Sequence, residues 1–262
     1  MLQKPWQNLT EPLTLSSDTI NIIRIPLAAS DSQLDRLRGL LSPDESARAD
    51  RYKAPQPKRH FIVCRGMLRT LLASCLHQEA REIEFVYGDH GKPSLKLSGT
   101  PTNSIEFSVS HSSDQALIAI TKDRRLGVDI ERIDPAVRIL KLATRFFSPR
   151  ESAELLQLPE ADQLSGFYRG WTSKESYLKA TGFGLSFPLS KFTVSLNPHR
   201  EAELIEVVDR PEELQTWVLR ALDPLPEFAA AIIVESRSST PIELRQYQVT
   251  DLSAFIHEDT SE

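Results

Sequence analysis

The sequence predicts an α+β protein made of two halves that repeat one order of elements. Two nearly identical segments, each with serine, proline and glutamate at matching places, begin a helix in each half. Each is followed by a long segment of helical period and then by short segments of alternating apolar residues, the pattern of strands. We therefore predict two pseudo-symmetric halves over 19–125 and 126–250, with an irregular arm over 1–18 and a polar tail over 251–262.

The first half begins with an isoleucine-rich strand over 20–27. Ser42, Pro43 and Glu45 then form a capping box, in which serine caps the helix, proline starts it and glutamate returns to the cap. The other elements predicted for this half are helices over 33–41 and 57–77, strands over 83–87, 105–110 and 115–121, and a glycine-containing turn over 88–93.

The second half repeats this order. A strand over 126–131 opens it, and Ser148, Pro149 and Glu151 form the second capping box. A long helix follows over 162–181. The strands predicted after that helix lie over 191–196, 203–208, 215–221, 228–235 and 243–248.

Composition restricts the class of protein. The 262 residues are 40% hydrophobic and 26% charged with a net charge of -5, which gives no general reason to expect a nucleic-acid or membrane partner. The sequence contains no apolar run long enough to cross a membrane and no apolar signal segment, so we expect a soluble, cytoplasmic protein. Cys64 and Cys75, the two cysteines, are predicted to be buried structural thiols without a disulfide or zinc.

Two acidic residues share one face of the strand that opens the second half. Asp129 and Glu131 alternate with Val128 and Ile130, so the acids project together while the apolar residues enter the core. A solvated strand edge is the alternative interpretation of this pattern.

A helical face in the second half carries a further acid and a lysine. Trp171, Glu175, Leu178 and Lys179 fall on this face, with Lys174 at its edge. If the face meets the strand, three carboxylates converge beside an ammonium group and repel one another unless a cation lies among them. Magnesium with substrate phosphates would explain both acidic motifs, whereas an ordinary i,i+4 ion pair would explain the helix alone.

Other polar residues of the first half suit a phosphorylated ligand. Ser110 and His111 end a strand, where a hydroxyl and an imidazole can donate hydrogen bonds to phosphate oxygens. Lys92 and Pro93 offer a tether and an apolar plane for a flat base. Basic residues on the predicted helices could hold a further phosphate, the best candidates being Arg48, Arg59 and Arg65. A solvated or satisfied side chain is the alternative interpretation of His111, and a charged solvent face is that of the basic residues on the helices.

The chain lacks several common catalytic motifs. It contains no P-loop, no Gly-x-Gly-x-x-Gly after a strand, no zinc-ligand spacing and no Gly-x-Ser-x-Gly elbow. These absences argue against P-loop kinases, Rossmann oxidoreductases and serine hydrolases of the α/β type.

Five motifs in order resemble the 4'-phosphopantetheinyl transferases, specifically the larger surfactin-synthetase-activating type, in which two pseudo-repeats form one monomer. The resemblance covers about 40–250, most of the chain, and the motifs that carry it are Gly91-Lys92-Pro93, Phe107-Ser108-Val109-Ser110-His111-Ser112, Gly127-Val128-Asp129-Ile130-Glu131, Arg145-Phe146-Phe147-Ser148 and Trp171-x-x-Lys174-Glu175-x-x-x-Lys179. It implies the family's fold, with the active site in the cleft between the halves.

The resemblance also implies a reaction. A serine hydroxyl of an apo acyl or peptidyl carrier protein would take the 4'-phosphopantetheine arm of coenzyme A, and 3',5'-ADP would leave. Asp129, Glu131 and Glu175 would bind Mg²⁺, with Mn²⁺ as an alternative. Glu175, directly or through water, would also accept the serine proton, and Lys179 would neutralise charge on the pyrophosphate.

The resemblance assigns further residues to coenzyme A. Lys92 and Pro93 would contact adenine, while His111 and Arg48 would meet the 3'-phosphate. Glu45 departs from a lysine that some members carry near that phosphate. The residues that the resemblance assigns to coenzyme A are Arg48, Arg59, Arg65, Lys92, Pro93, Ser110, His111 and Lys179.

Two alternatives stay open at this point. One is a non-catalytic relative that binds coenzyme A or a carrier protein, and the other is a metal phosphohydrolase with a chance likeness. The carrier protein, its pathway and the role of residues 1–18 are left undetermined by these patterns.

Overall fold

In the computed structural model, which describes residues 5–88, 91–96, 104–184, 187–237 and 241–256, each half contains one helix of 22 residues. These are α3 (Pro55–Leu76) and α6 (Glu160–Thr181), close to the ranges predicted for them. The remaining helices are α1 (Asp31–Gly39), α2 (Pro43–Asp50), α4 (Ile139–Phe146), α5 (Pro149–Gln157) and the four-residue α7 (Glu213–Thr216).

Both predicted capping boxes are confirmed. The Glu45 and Glu151 side chains accept hydrogen bonds from the backbone N–H of Ser42 and Ser148, so α2 and α5 begin where the sequence indicated. A third capping box, at Ser30, starts α1 two residues before the predicted boundary. Helix α4 was not predicted from its own sequence.

The strands form two main sheets. A five-stranded sheet has the order β1-β12-β2-β6-β5, and a three-stranded sheet has the order β10-β11-β7. In chain order the strands are β1 (Gln7–Asn8), β2 (Thr19–Pro26), β3 (Phe85–Tyr87), β4 (Pro93–Leu95), β5 (Ile105–Ser112), β6 (Gln115–Lys122), β7 (Leu126–Arg132), β8 (Phe192–Val194), β9 (Leu204–Val207), β10 (Trp217–Leu222), β11 (Phe228–Glu235) and β12 (Glu243–Gln248). Strands β3 with β4 and β8 with β9 form two small hairpins.

Three apolar clusters hold these elements together. One lies around α3 beneath the first sheet, and a second surrounds α6. The third is a layer between the two sheets, formed by alternate residues of strands such as β2 and β7. Strand β2 is therefore buried on both faces, which explains why its apolar residues do not simply alternate with polar ones. The fold class is α+β with pseudo-symmetric halves, as predicted.

The two chain ends depart from the expectations. Part of the arm is ordered as β1, which pairs in parallel with β12, and Leu9 beyond it is buried. Strand β12 pairs in parallel with β2, so the last strand of the chain joins the first sheet. The partners within a helix or a hairpin are near each other in the sequence, whereas β2 and β12 are more than 200 residues apart. Local periodicity therefore could not predict that these two strands pair. The division into four segments stays a prediction.

Some predicted features fall outside the described residues. The glycine turn over 88–93 includes residues 89–90, and the tail over 251–262 includes 257–262. Among the residues that are described, no helix is both long and apolar enough to span a membrane. Cys64 is buried and Cys75 half-buried, both are free thiols, and burial raises the pKa of each to about 11.

Candidate active site

A cavity of about 250 Å³ opens between the two halves. The first half contributes residues of β4 and β5 to its lining. The second half contributes Glu175, Leu178 and Lys179 from one face of α6, together with Gly182 and Gly184 just beyond the helix. The helical face predicted to carry chemistry thus borders a cleft, which is a favoured place for a ligand.

Helix α6 approaches β7 closely because Gly127 has no side chain. A Cβ at Gly127 would lie 2.0 Å from Ser176 O and 2.5 Å from Ala180 N, both backbone atoms of α6. Any larger residue would push the helix away from the strand. The contact sets the face of α6 against the strand that carries Asp129 and Glu131.

Lys179 crosses this contact to an acid and a serine. Its Nζ donates to Asp129 Oδ1 and to Ser110 Oγ, both at 2.7 Å, and Ser110 Oγ donates to the same Asp129 oxygen at 2.7 Å. Asp129 is buried, and its second oxygen, Oδ2, finds no hydrogen-bond partner among the described residues. A buried carboxylate oxygen without a partner is costly, which marks Oδ2 as an atom able to coordinate a ligand.

The three acids influence one another. Burial raises the pKa of Glu175, and the charges of Asp129 and Glu131 raise it further, whereas Lys179 lowers it. Burial also raises the pKa of Glu131; a hydrogen bond from Ser112 opposes this shift, and the charge of Asp129 adds to it. The structure therefore brings the predicted carboxylates and Lys179 into one electrostatic cluster.

The donor set of this cluster fits a hard cation. As the side chains stand, no three His, Cys, Asp or Glu residues in the described ranges form a group that could hold a metal. Carboxylate oxygens are nevertheless the ligands that Mg²⁺ prefers, and Asp129 offers an unpartnered one. A cation among the acids would relieve the repulsion that raises the pKa of Glu131 and Glu175.

The predicted adenine and phosphate residues lie on the first-half side of the cleft. Lys92 and Pro93 line the cavity, and Lys92 Nζ donates to Leu126 O at 3.3 Å. Burial lowers the pKa of Lys92. His111 lies near the end of β5, where desolvation and the charge of Lys179 lower the pKa of its imidazole.

The three predicted arginines are placed differently. Arg48 is exposed on α2 and stacks over an aromatic ring of α3. Arg59 is partly exposed and bonds Asp31 Oδ1 at 2.7 Å. Arg65 is buried, with Nη1 3.5 Å from Glu45 Oε1. The structure leaves Arg48 accessible, whereas Arg65 faces an acid inside the first half.

Lys174, predicted at the edge of the helical face that carries Glu175 and Lys179, points away from the cleft. It is fully buried, 2.8 Å from Glu151 Oε1, and it donates to the carbonyls of Leu189 and Phe192. Burial lowers the pKa of Lys174 to about 8, although Glu151 opposes the shift. Neighbouring residues point about 100° apart on a helix, so Lys174 enters the second core while Glu175 faces the cleft.

Ser108 and Ser112, which entered the prediction only as members of a family motif, both contact β7. Ser108 Oγ accepts from Val128 N at 3.1 Å, and Ser112 Oγ donates to Glu131 Oε2 at 2.7 Å. The signal was available, because serines at alternate positions of a strand share one face.

The cleft between the pseudo-symmetric α+β halves is lined by Glu175, Lys92 and Lys179, and Lys179 also pairs with Asp129, an arrangement that suits a transferase acting on a phosphorylated ligand. Residues 125–233 match the model of the 4'-phosphopantetheinyl transferase superfamily, and residues 28–123 match that of the 4'-phosphopantetheinyl transferase N-terminal domain. The chain belongs to the 4'-phosphopantetheinyl transferase family.

Individual relatives agree. The chain is 38% identical over 234 residues to the 4'-phosphopantetheinyl transferase HetI of Nostoc sp. (strain PCC 7120 / SAG 25.82 / UTEX 2576), covering 89% of this chain and 95% of that protein. It is 28% identical over 203 residues to the 4'-phosphopantetheinyl transferase Sfp of Bacillus subtilis (strain 168), covering 78% of this chain and 86% of that protein.

A solved structure of Helicobacter pylori holo-[acyl-carrier-protein] synthase in complex with coenzyme A is also similar. It has 20% sequence identity and a TM-score of 0.33, and the match covers 42% of this chain and 99% of that one.

Proposed function

We propose that the protein transfers the 4'-phosphopantetheine arm of coenzyme A to a serine hydroxyl of an apo acyl or peptidyl carrier protein, using the cleft between its halves and Mg²⁺. Lys179 carries this proposal, because its ammonium lies 2.7 Å from Asp129 and from Ser110 at the edge of the cavity. Membership of the family supports the reaction, and the local geometry supports the assignment of residues.

Asp129, Glu131 and Glu175 would hold the metal. Mn²⁺ would bind to the same carboxylate oxygens. Bound there, the ion would supply positive charge to the pyrophosphate of coenzyme A. The mutual repulsion of these acids and the unpartnered Asp129 Oδ2 support this assignment.

Lys179 and Glu175 would act on the reacting groups. The serine oxygen forms a bond to the phosphorus that bears the pantetheine arm, and the bond from that phosphorus to the departing 3',5'-ADP breaks. Glu175, directly or through water, accepts the serine proton, which its raised pKa favours. Lys179 neutralises charge on the leaving diphosphate, and alignment with charge neutralisation is the main source of catalysis in such transfers.

Residues of the first half would hold the remainder of coenzyme A. Lys92 and Pro93 would contact adenine, Ser110 and His111 the phosphates, and Arg48, assisted by Arg59, the 3'-phosphate. The placement of Lys92 and Pro93 in the cavity lining supports this division. We leave Arg65 out of the proposed set because its guanidinium is buried against Glu45. A monomeric state and a cytoplasmic location stay predictions from the sequence.

Intact-mass spectrometry tests the proposal directly. An apo carrier protein incubated with this protein, coenzyme A and Mg²⁺ should gain the mass of one phosphopantetheine, and EDTA or Glu175→Gln should abolish the gain. Coenzyme A binding without a mass gain on any of several acyl and peptidyl carriers would instead identify a non-catalytic relative. Absence of coenzyme A binding would contradict the proposal altogether.

A further inference from the structure

Three serines of β5 connect the two main sheets through side-chain hydrogen bonds to β7. Ser108, Ser110 and Ser112 alternate along the strand and therefore point to one side, toward β7. Each hydroxyl hydrogen-bonds to β7, and no backbone ladder between β5 and β7 is present among the described residues. We call Ser108, Ser110 and Ser112 the serine seam. Strand β5 belongs to the first half and β7 to the second, so the seam spans the boundary.

Ser112 makes two contacts with β7. Its Oγ donates to Glu131 Oε2 at 2.7 Å and accepts from the backbone N–H of Arg132 at 3.1 Å. A hydroxyl has one proton, so this arrangement commits that proton to the carboxylate. The bond from the Arg132 backbone holds the hydroxyl in place, because it joins Oγ to the main chain of β7 itself.

The contact with Ser112 restricts the side chain of Glu131. Glu131 is half-buried near the end of β7, and a glutamate has several side-chain torsions to restrict. Asp129, by contrast, is held by both Lys179 and Ser110. Trp171 also hydrogen-bonds to Glu131, and Ser112 gives one oxygen of this carboxylate a fixed direction, as Lys179 and Ser110 do for Asp129.

We propose that Ser112 is a positioning residue that holds Glu131 ready for the divalent cation, so that the first half orients a ligand provided by the second. This inference rests on the proposed role of Glu131 in binding the metal. Groups that orient a metal ligand typically contribute 10- to 100-fold to metal affinity. Because β5 also carries His111, one strand would then connect coenzyme A binding with the metal site.

The test compares variants by their affinity for Mn²⁺ in the presence of coenzyme A, measured from the free-Mn²⁺ signal in electron paramagnetic resonance. Ser112→Ala should weaken Mn²⁺ binding about 10- to 100-fold. Ser112→Thr keeps the hydroxyl and should stay within about threefold of the native protein. The Mg²⁺ concentration that gives half-maximal transfer should rise in Ser112→Ala by a similar factor.

Ser195→Ala is the matched control. Ser195 Oγ also donates to an oxygen, Glu201 O, and accepts from a backbone N–H, that of Glu203, but within the second half and without a carboxylate partner. Its Mn²⁺ affinity should match that of the native protein, and thermal unfolding of each variant confirms that it is folded.

Two results would overturn the positioning role. One is Mn²⁺ affinity in Ser112→Ala within twofold of the native value, and the other is a Ser112→Thr variant as weak as Ser112→Ala. If the native protein itself neither binds Mn²⁺ with coenzyme A nor modifies a carrier, the proposed function fails first. An active native protein with an unaffected Ser112→Ala variant contradicts only the role of Ser112.

Discussion

The two long helices meet the sheets in different ways. Helix α6 lies directly on β7, where Gly127 admits its backbone, whereas α3 stands farther from β2. Strand β2 pairs with β6 as β7 pairs with β11, and β6 and β11 have the same length. When these two strands are aligned end to end, Asn21 of β2 takes the position of Gly127 of β7. A glycine in only one half therefore allows the close contact on which the cleft depends.

The same matching shows that only one half carries the acidic cluster. In the first half, apolar or small uncharged residues occupy the positions of the site residues. Ile23 and Ile25 match Asp129 and Glu131, and Thr70 and Ser74 match Glu175 and Lys179. The two isoleucines lie in the first core. The two halves thus share an arrangement of strand and long helix, whereas acids and a lysine occupy these four positions in the second half alone.

Both halves contain a buried ion pair between a short helix and the long helix. Glu45 Oε2 accepts from Arg69 Nε at 2.6 Å in the first half, and Glu151 pairs with Lys174 at 2.8 Å in the second. Each glutamate is also the capping-box residue of its short helix. One carboxylate therefore caps a helix and ties it to the long helix of the same half.

The largest effect is expected from breaking these pairs. Lys174→Met should lower the free energy of unfolding by about 3–5 kcal/mol, because it leaves Glu151 buried without its charge partner. Arg69→Met should cost a similar amount, since Arg69 also donates to the carbonyls of Ala80 and Ile83. Urea unfolding measures both.

The double variant Lys174→Met with Glu151→Gln is the control for charge. It should recover part of the loss, because no unpaired charge then remains buried. If Lys174→Met is as stable as the native protein, the pair of Glu151 with Lys174 does not contribute to stability.

The next largest effect is expected on the rate of transfer, and it should be confined to substitutions in the second half. Lys179→Ala and Asp129→Ala should each lower turnover about 10²- to 10³-fold with the fold retained, the usual result of removing one electrostatic partner. Ser74→Ala, at the position of Lys179 in α3, should leave turnover unchanged. Carrier modification followed by mass spectrometry gives the rates. More than half the native activity in Lys179→Ala would contradict the assignment.

A smaller effect concerns protonation of Glu175. Its pKa lies above the usual glutamate value, so as pH falls the folded protein takes up this proton earlier than the unfolded chain. The folded state binds more protons between the two pKa values, so this carboxyl lowers stability as pH rises through that window. In the metal-free protein, Glu175 should accordingly lose its charge at a higher pH than an ordinary glutamate does as the pH falls.

Lys179 provides the check on this prediction. Its charge lowers the pKa of Glu175, so Lys179→Met should raise that pKa in the metal-free protein, as followed by carbon NMR of the carboxyl. Ser74→Ala should not move it. A fall of the Glu175 pKa in Lys179→Met would contradict the placement of the two side chains.

Much of the fold was readable from the sequence because it is encoded locally. Both capping boxes, the two long helices and strands such as β11 and β12 follow from residues a few positions apart. The alternation of Asp129 and Glu131 with apolar neighbours likewise predicted their common face. Helix α4 was not predicted because no side-chain cap marks its start, although its apolar residues share one face, and β1 was not predicted because two residues carry no period.

The sequence by itself therefore determined the order of elements, the acids with their lysine, and the family. Tertiary structure decided which groups meet: that Lys174 turns into the second core, that Glu45 engages Arg65, and that Ser112 reaches Glu131 across the boundary. It also decided that β12 completes the first sheet. Periodicity reports which face a residue occupies within its own element, whereas the partner of that face depends on contacts between elements distant in the chain.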